Sequence, residues 1–293
     1  MCVFAAACIT AVTLFSGCTK VNEEVEEVTE VVTEEEVQPY PVQVGSLIFN
    51  SSPESVASLS PAVTEIIAEL GFTDKLIGRS IYCDYPESVS SAAELGSAAN
   101  PDVDAIISAA PTLLISHSPI AKKDITSIEN AGTRVLIIPA PTSVSELYDL
   151  YISIYHIFNG ADGSEEDIIS DKFELLEECF DDNENLLGSF VYVMSDDLAV
   201  ASSSTFAGDF LSHMGTNAAA DSTGVLTSDD LSVIDPDYVI IGSDVRESKL
   251  PDELASHKVI RLDEETEQLL ERPTSRLYIA VEKIAEIVRS DEE

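Results

Sequence analysis

Short unbroken apolar runs alternate with stretches of helical spacing in two parts of the chain, separated by a purely helical middle. In the first part the runs read as strands at 55–59, 75–78, 113–115 and 135–138. Between them, helical patterns cover 62–70, stopped by Gly71, and 124–131, stopped by Gly132. Ser60-Pro61 supplies an N-cap and a proline at the first helical position. In the last part, strands at 190–194 and 258–262 flank a helix at 208–214 stopped by Gly215, and a helix at 275–288 closes the chain. A short apolar run without alternation marks a parallel strand covered on both faces. Alternating strands and helices predict an α/β fold.

One unit occurs twice. Asp104 is followed by a short helix, Pro111 and the apolar run to Ile115; Asp229 is followed by the same plan through Pro236 to Ile241. The proline ends the helix because it lacks an amide hydrogen and clashes with the preceding turn. The repetition predicts two similar α/β lobes, at 45–160 and 188–293. Helices at 145–158 and 164–187 lie between them with no strand. In the second, Ile168, Ile169, Phe173, Leu176, Cys179 and Phe180 recur at helical spacing. A long amphipathic helix over 161–187 is therefore read as a stiff connector joining two Rossmann-like lobes, with a ligand cleft between them.

The amino terminus has a different pattern. Residues 2–16 are apolar and small, too short to span a bilayer, and fit the core of a secretory signal. They end in Leu14-Phe15-Ser16-Gly17-Cys18, which resembles a bacterial lipobox, with Cys18 as the lipidated residue and 1–18 as signal peptide. The basic region that opens such signals is missing, which leaves open whether Met1 is the true start. Residues 19–44 carry runs of Glu with Pro39 and Pro41, and like charges keep such a segment extended. It reads as a tether between a lipid anchor on the outer face of the membrane and the folded body.

Composition narrows the function. A net charge of −39 over 293 residues repels nucleic acid and anionic headgroups. The five cysteines form no C-x-x-C or Cys/His cluster, so no zinc site is expected, and Cys83 and Cys179 read as unbridged thiols. Nucleophile-elbow, zincin, P-loop and dinucleotide motifs are absent, and Ser202 to Thr205 reads as a loop with no base beside it. No catalytic residue, resident cofactor or metal site is assigned. Asp181-Asp182 and Asp196-Asp197 read as turn acids, His156 and His213 as structural, and His257 as solvated.

These pieces resemble a known family, the class III substrate-binding proteins of ABC importers with their helical backbone, most nearly the cobalamin-binding and iron-siderophore branch. The resemblance runs from Ser55 to the carboxyl terminus. It rests on Leu59-Ser60-Pro61 with Thr64-Glu65, Tyr82-Cys83-Asp84-Tyr85-Pro86, the Asp104 and Asp229 units, and Arg272-Pro-Thr-Ser-Arg276. It implies a monomeric receptor that takes up a large ligand between its lobes and docks on the importer's permease subunits through one acid per lobe. Those acids match Asp104 and Asp229, where the family more often has Glu. Ligand-facing positions match Tyr82, His117 and, more loosely, Gln268. The positions where cobalamin binders stack aromatic rings include Ala98 and His117 here.

The residues give partial support of their own. In open α/β sheets ligands sit at the carboxyl ends of strands, and His117 lies just past Ile115. Tyr82 offers a ring face and a hydroxyl, while Tyr85 is expected to pack beside Pro86. For the two acids, helix-dipole complementarity is the alternative to docking. The expected ligand is cobalamin or another corrinoid, with haem next, through Tyr82 or His117 as iron ligands, and a ferric siderophore third. The reading from a different class is a cleft-bearing surface lipoprotein without a transporter, a sensor or an enzyme.

Overall fold

Strand residues that read as unbroken apolar runs serve two buried faces. In Leu113–Ser116, Leu113 and Ile115 point into one core and Leu114 into another. In Tyr238–Ile241, Tyr238 and Ile240 face the first core, and Val239 and Ile241 a third. This is why neither strand shows a polar alternation.

The computed structural model describes residues 38–291. Cys18, the signal segment and the acidic runs before residue 38 lie outside the described residues. The chain begins with a hairpin, β1 (Val42–Val44) and β2 (Leu47–Phe49). Then come β3 (Val56–Ser58), α1 (Pro61–Glu69), β4 (Leu76–Arg79), β5 (Ala93–Glu94), α2 (Val103–Ala109), β6 (Leu113–Ser116), α3 (Lys122–Asn130) and β7 (Arg134–Ile137). Two long helices follow, α4 (Val144–Asn159) and α5 (Glu165–Asp182). The last part holds β8 (Ser189–Val193), α6 (Phe206–Ser212), β9 (Thr216–Asn217), α7 (Ser228–Leu231), β10 (Tyr238–Ile241), α8 (Asp252–Ala255), β11 (Lys258–Arg261), α9 (Glu264–Glu271) and α10 (Leu277–Asp291).

Two parallel sheets result, ordered β5-β4-β3-β6-β7 and β11-β10-β8-β9. Both lobes are therefore α/β, as the alternation predicts. The largest core runs through both: Val56 and Ile115 from one sheet and Phe190 and Ile240 from the other join Tyr151 of α4, Phe173 of α5 and Ile284 of α10. Shared burial of this kind makes the helical layer a common wall.

The structure departs from the sequence reading in four places. The hairpin takes in residues 42–44, at the end of the stretch expected to be a spacer, because Val42 and Val44 are buried against the core. The connecting helix α5 stops at Asp182 rather than near 187, where Asn183 caps it by donating its side-chain amide to the Cys179 carbonyl at 2.7 Å. The second copy of the repeated unit keeps only one helical turn, α7, closed by a reciprocal capping box between Thr227 and Asp230. At α2 the helix ends at Ala109, two residues before Pro111, with Ala110 in the left-handed region at φ 50°.

One close approach carries a prediction. A Cβ on Gly208, in the first turn of α6, would sit 2.0 Å from the Ser202 carbonyl oxygen. Overpacking against backbone cannot be relieved by a side-chain rotation. Gly208→Ala is expected to lose roughly 3 kcal/mol of stability in urea unfolding; a wild-type midpoint would show that the loop gives way.

Candidate functional site: a cleft between the lobes

The cleft is lined from one side by α1 and the loop after β4, and from the other by α9 and the loop leading to α10. Its cavity, about 280 Å³, is lined by Glu65, Asp84 and Tyr85 on the first lobe and by Gln268, Leu269, Arg272 and Arg276, among others, on the second. These segments lie beyond the carboxyl ends of β3 and β4 and of β11, where an open parallel sheet leaves its ligand crevice.

Two arginines cross the cleft. Arg272 donates to Asp84 Oδ1 at 2.7 Å and Arg276 to Glu65 Oε2 at 3.0 Å. The Arg276 guanidinium also lies over the Tyr85 ring, 3.6 Å from its centroid. Just behind, the Ser275 hydroxyl donates to Glu69 Oε2 at 2.8 Å. The Tyr151 hydroxyl donates to the same oxygen and accepts from the Ser275 backbone N–H. The loop 272–276 is thus tied to α1, α4 and the turn around Asp84.

Burial sets the charges here. Glu65 is only 4% exposed. Desolvation pushes its carboxyl up to about 7, against the pull of Arg276 and with a further push from Glu69. Desolvation, reinforced by Glu69, also holds the Tyr151 phenol well above its ordinary value, so it stays a donor. On the second lobe Glu267 accepts from the Ser243 backbone N–H at 3.0 Å, from the Ser243 hydroxyl at 2.5 Å and from Tyr192 at 3.3 Å. This group sits at the carboxyl end of β10.

The residues singled out from sequence separate. Gln268 lines the cavity, and its amide donates to Glu264 at 3.1 Å. Tyr82 is 60% exposed on the turn that carries Asp84 and Tyr85, outside the cavity wall. His117 is half-buried at the end of β6 and is not part of that wall either. Its Nδ1 lies 2.9 Å from the Ile138 carbonyl oxygen, which only accepts, so Nδ1 carries the hydrogen. Burial pushes the ring below its ordinary pKa, so the imidazole is neutral. Its Nε2 lone pair is then buried without a partner among the described residues. Asp104 and Asp229 are both exposed, one on each lobe.

Tyr85 corrects the reading from sequence: its ring supports Arg276 and lines the cavity rather than merely packing beside Pro86. Sequence reasoning also gave Glu65, Asp84, Arg272 and Arg276 no role, although each lies in a stretch that carried the family resemblance. Helix α9 and its Glu267 were missed because charged residues mask a weak apolar spacing. The available signal was Asp263 followed by Glu264 and Glu265, an N-cap with an acidic first turn. His156, 3.3 Å from Glu165, and His213, stacked on Phe180, are held structurally. Cys83 and Cys179 are free thiols. Among the described residues no group of three or more His, Cys, Asp or Glu is placed to hold a metal ion.

Two parallel α/β lobes with a crevice at their strand ends define a cleft-type ligand binder. The chain belongs to the periplasmic binding protein family, whose match covers residues 56–261. It is 27% identical to the uncharacterized ABC transporter substrate-binding lipoprotein YvrC of Bacillus subtilis, over 98% of this chain and 96% of that one. It is 24% identical to a cobalamin-binding protein of Halobacterium salinarum over 67% of this chain, spanning 56% of that relative's length. The fold is shared with the periplasmic heme-binding protein RhuT from Roseiflexus sp. RS-1, with a TM-score of 0.63 at 21% identity over 82% of this chain and 99% of that one.

Proposed function

We propose that the chain is the extracytoplasmic substrate-binding lipoprotein of an ABC importer, anchored through Cys18, and that its cargo is a corrinoid. The observation that carries the ligand class is the state of the two cleft arginines. Arg272 and Arg276 are already paired with Asp84 and Glu65, so their positive charge towards an anionic ligand is largely offset. Haem presents two propionates and ferric siderophores are commonly anionic, whereas cobalamin is neutral overall with amides around its rim. The side-chain carbonyl of Gln268 on the cavity wall and the exposed hydroxyl of Tyr82 suit such a rim. A cavity of about 280 Å³ takes only the edge of so large a molecule. The remainder would rest on Ile81, Tyr82 and Met194, exposed apolar side chains just past the ends of β4 and β8.

A second reading, haem, is favoured by one feature: the neutral His117 ring with its unpartnered Nε2 is chemically an iron ligand. Calorimetric titration of the purified protein separates the two. Cyanocobalamin is expected to bind in the micromolar range or tighter, and haemin not to displace it. Haemin binding with a Soret shift lost in His117→Ala would replace the corrinoid assignment. Binding of neither would sink both.

A further inference from the structure

Helices α4 and α5 are joined by a turn of only five residues, 160–164, and so pack as an antiparallel pair. Where the start of α4 meets the end of α5 and the end of α6, they leave a groove of about 430 Å³, which shares no lining residue with the cleft. Phe173, Leu176 and Phe180, spaced three and four apart on α5, form an apolar floor. Tyr148 of α4 also lines it, 5.4 Å from Phe173 between ring centres, and its hydroxyl is anchored on the Glu166 carbonyl at 3.1 Å. His213, just past α6, stacks on Phe180 with ring centres 4.4 Å apart. The groove is therefore lined by rings that hold one another in place, in the size range of small-molecule sites.

The charge around these rings has one sign. Asp149 on α4 and Glu177 and Asp181 on α5 are exposed, and no hydrogen bond or ion pair engages any of the three among the described residues. No lysine or arginine lines the groove. Asp181 stands in the last turn of α5, which holds no basic side chain, although the carbonyls of a helix end already favour a cation there. Burial, together with the charges of Glu166, Glu177 and Asp167, holds the Tyr148 phenol above its ordinary pKa, so the ring stays neutral. A ring-lined apolar floor beneath unpaired carboxylates is the complement of an organic cation. The rings cover its body and attract its charge, and the carboxylates accept its N–H hydrogens.

We propose that the groove between α4, α5 and α6 is a second binding site, for a small organic cation: a protonated amine carrying one ring or a short alkyl chain. The apolar part of the ligand lies on Phe173, Leu176 and Phe180, and its ammonium group sits between Asp149, Glu177 and Asp181. The site is independent of the cargo in the cleft and of the importer reading, and it stands or falls by its own measurement.

The test titrates phenethylamine into the full-length protein at constant neutral pH and follows the His213 ring resonances by NMR. A saturable shift with a Kd below about 1 mM is expected. Phenylacetate, with the same ring and the opposite charge, is expected to cause none. Glu177→Gln with Asp181→Asn is expected to weaken phenethylamine binding about tenfold. Asp171→Asn with Glu178→Gln removes the same charge from exposed positions of α5 outside the groove and is expected to leave the Kd within about twofold of wild type. Equal weakening by the two pairs would show only the general pull of an acidic chain and would overturn the site. So would an equally strong shift with methylamine, which has no body for the rings to cover, or no saturable shift up to about 10 mM phenethylamine.

Discussion

Arg276→Ala is expected to cost the folded chain up to about 1.4 kcal/mol at pH 8 and about 2 kcal/mol at pH 8.5, because removing one partner of a buried pair leaves an uncompensated charge that only a retained proton can neutralise. Glu65 is that charge, buried at 4% exposure beneath the cleft. Its carboxyl already stands at about 7 with the guanidinium in place, against an ordinary 4.5. The folded state therefore holds a proton that the unfolded chain releases between those values. Stability from this group is complete below about 4.5 and is lost as the pH rises to about 7, a difference on the order of 3 kcal/mol. Without Arg276 the loss continues above 7. The variant should approach wild-type stability near pH 5, and Glu65→Gln in the same chain should restore most of what is lost at pH 8. Urea unfolding at pH 5, 7 and 8.5 measures this. Many other carboxylates titrate in the same direction in so acidic a chain, so the readout is the gap between variant and wild type. A gap that does not change with pH would mean the Glu65 charge is not what Arg276 offsets.

The second large effect is on transport. On the importer reading proposed above, with the two acids docking as the family resemblance implies, Asp104→Arg with Asp229→Arg is expected to cut uptake of labelled cyanocobalamin more than about a hundredfold, since a reversed charge at such an interface costs several kcal/mol. Both positions are exposed and their caps are held by Asp102 and by Thr227 with Asp230. The fold should lose only the first-turn helix-dipole contribution, on the order of 1 kcal/mol. Cyanocobalamin affinity should stay at the wild-type value. Unaltered uptake would return both acids to their bland role as helix-start charges. Lost affinity together with lost uptake would show that they act on the cleft instead.

Legibility followed the range of the interactions involved. The strands around Leu113 and Tyr238 were readable because each residue in the run is buried on one face or the other. The stop signals were readable too: Gly71 and Gly132 take positive φ just past α1 and α3. Weakly patterned pieces escaped, namely the β1–β2 hairpin with its three-residue strands and the charged helix α9. The free acids were found through repetition, but their separation from the capping acids was not visible. Asp229-Asp230 reads as one acidic pair until the Thr227 capping box assigns the second member to the helix.

The amino-acid sequence by itself determined the alternating α/β plan, its two-fold repetition and the helical middle, since these arise from local spacing and from which side chains must leave water. Tertiary structure alone decided the cleft. Glu65 meets Arg276, and Asp84 meets Arg272, only because α4, α5 and α10 bring segments some two hundred residues apart into one wall. No local periodicity encodes that meeting. It also decided that the cleft arginines are occupied and that His117 keeps a buried lone pair. Both depend on which partner the packing delivers, a question of distance and desolvation rather than of residue type.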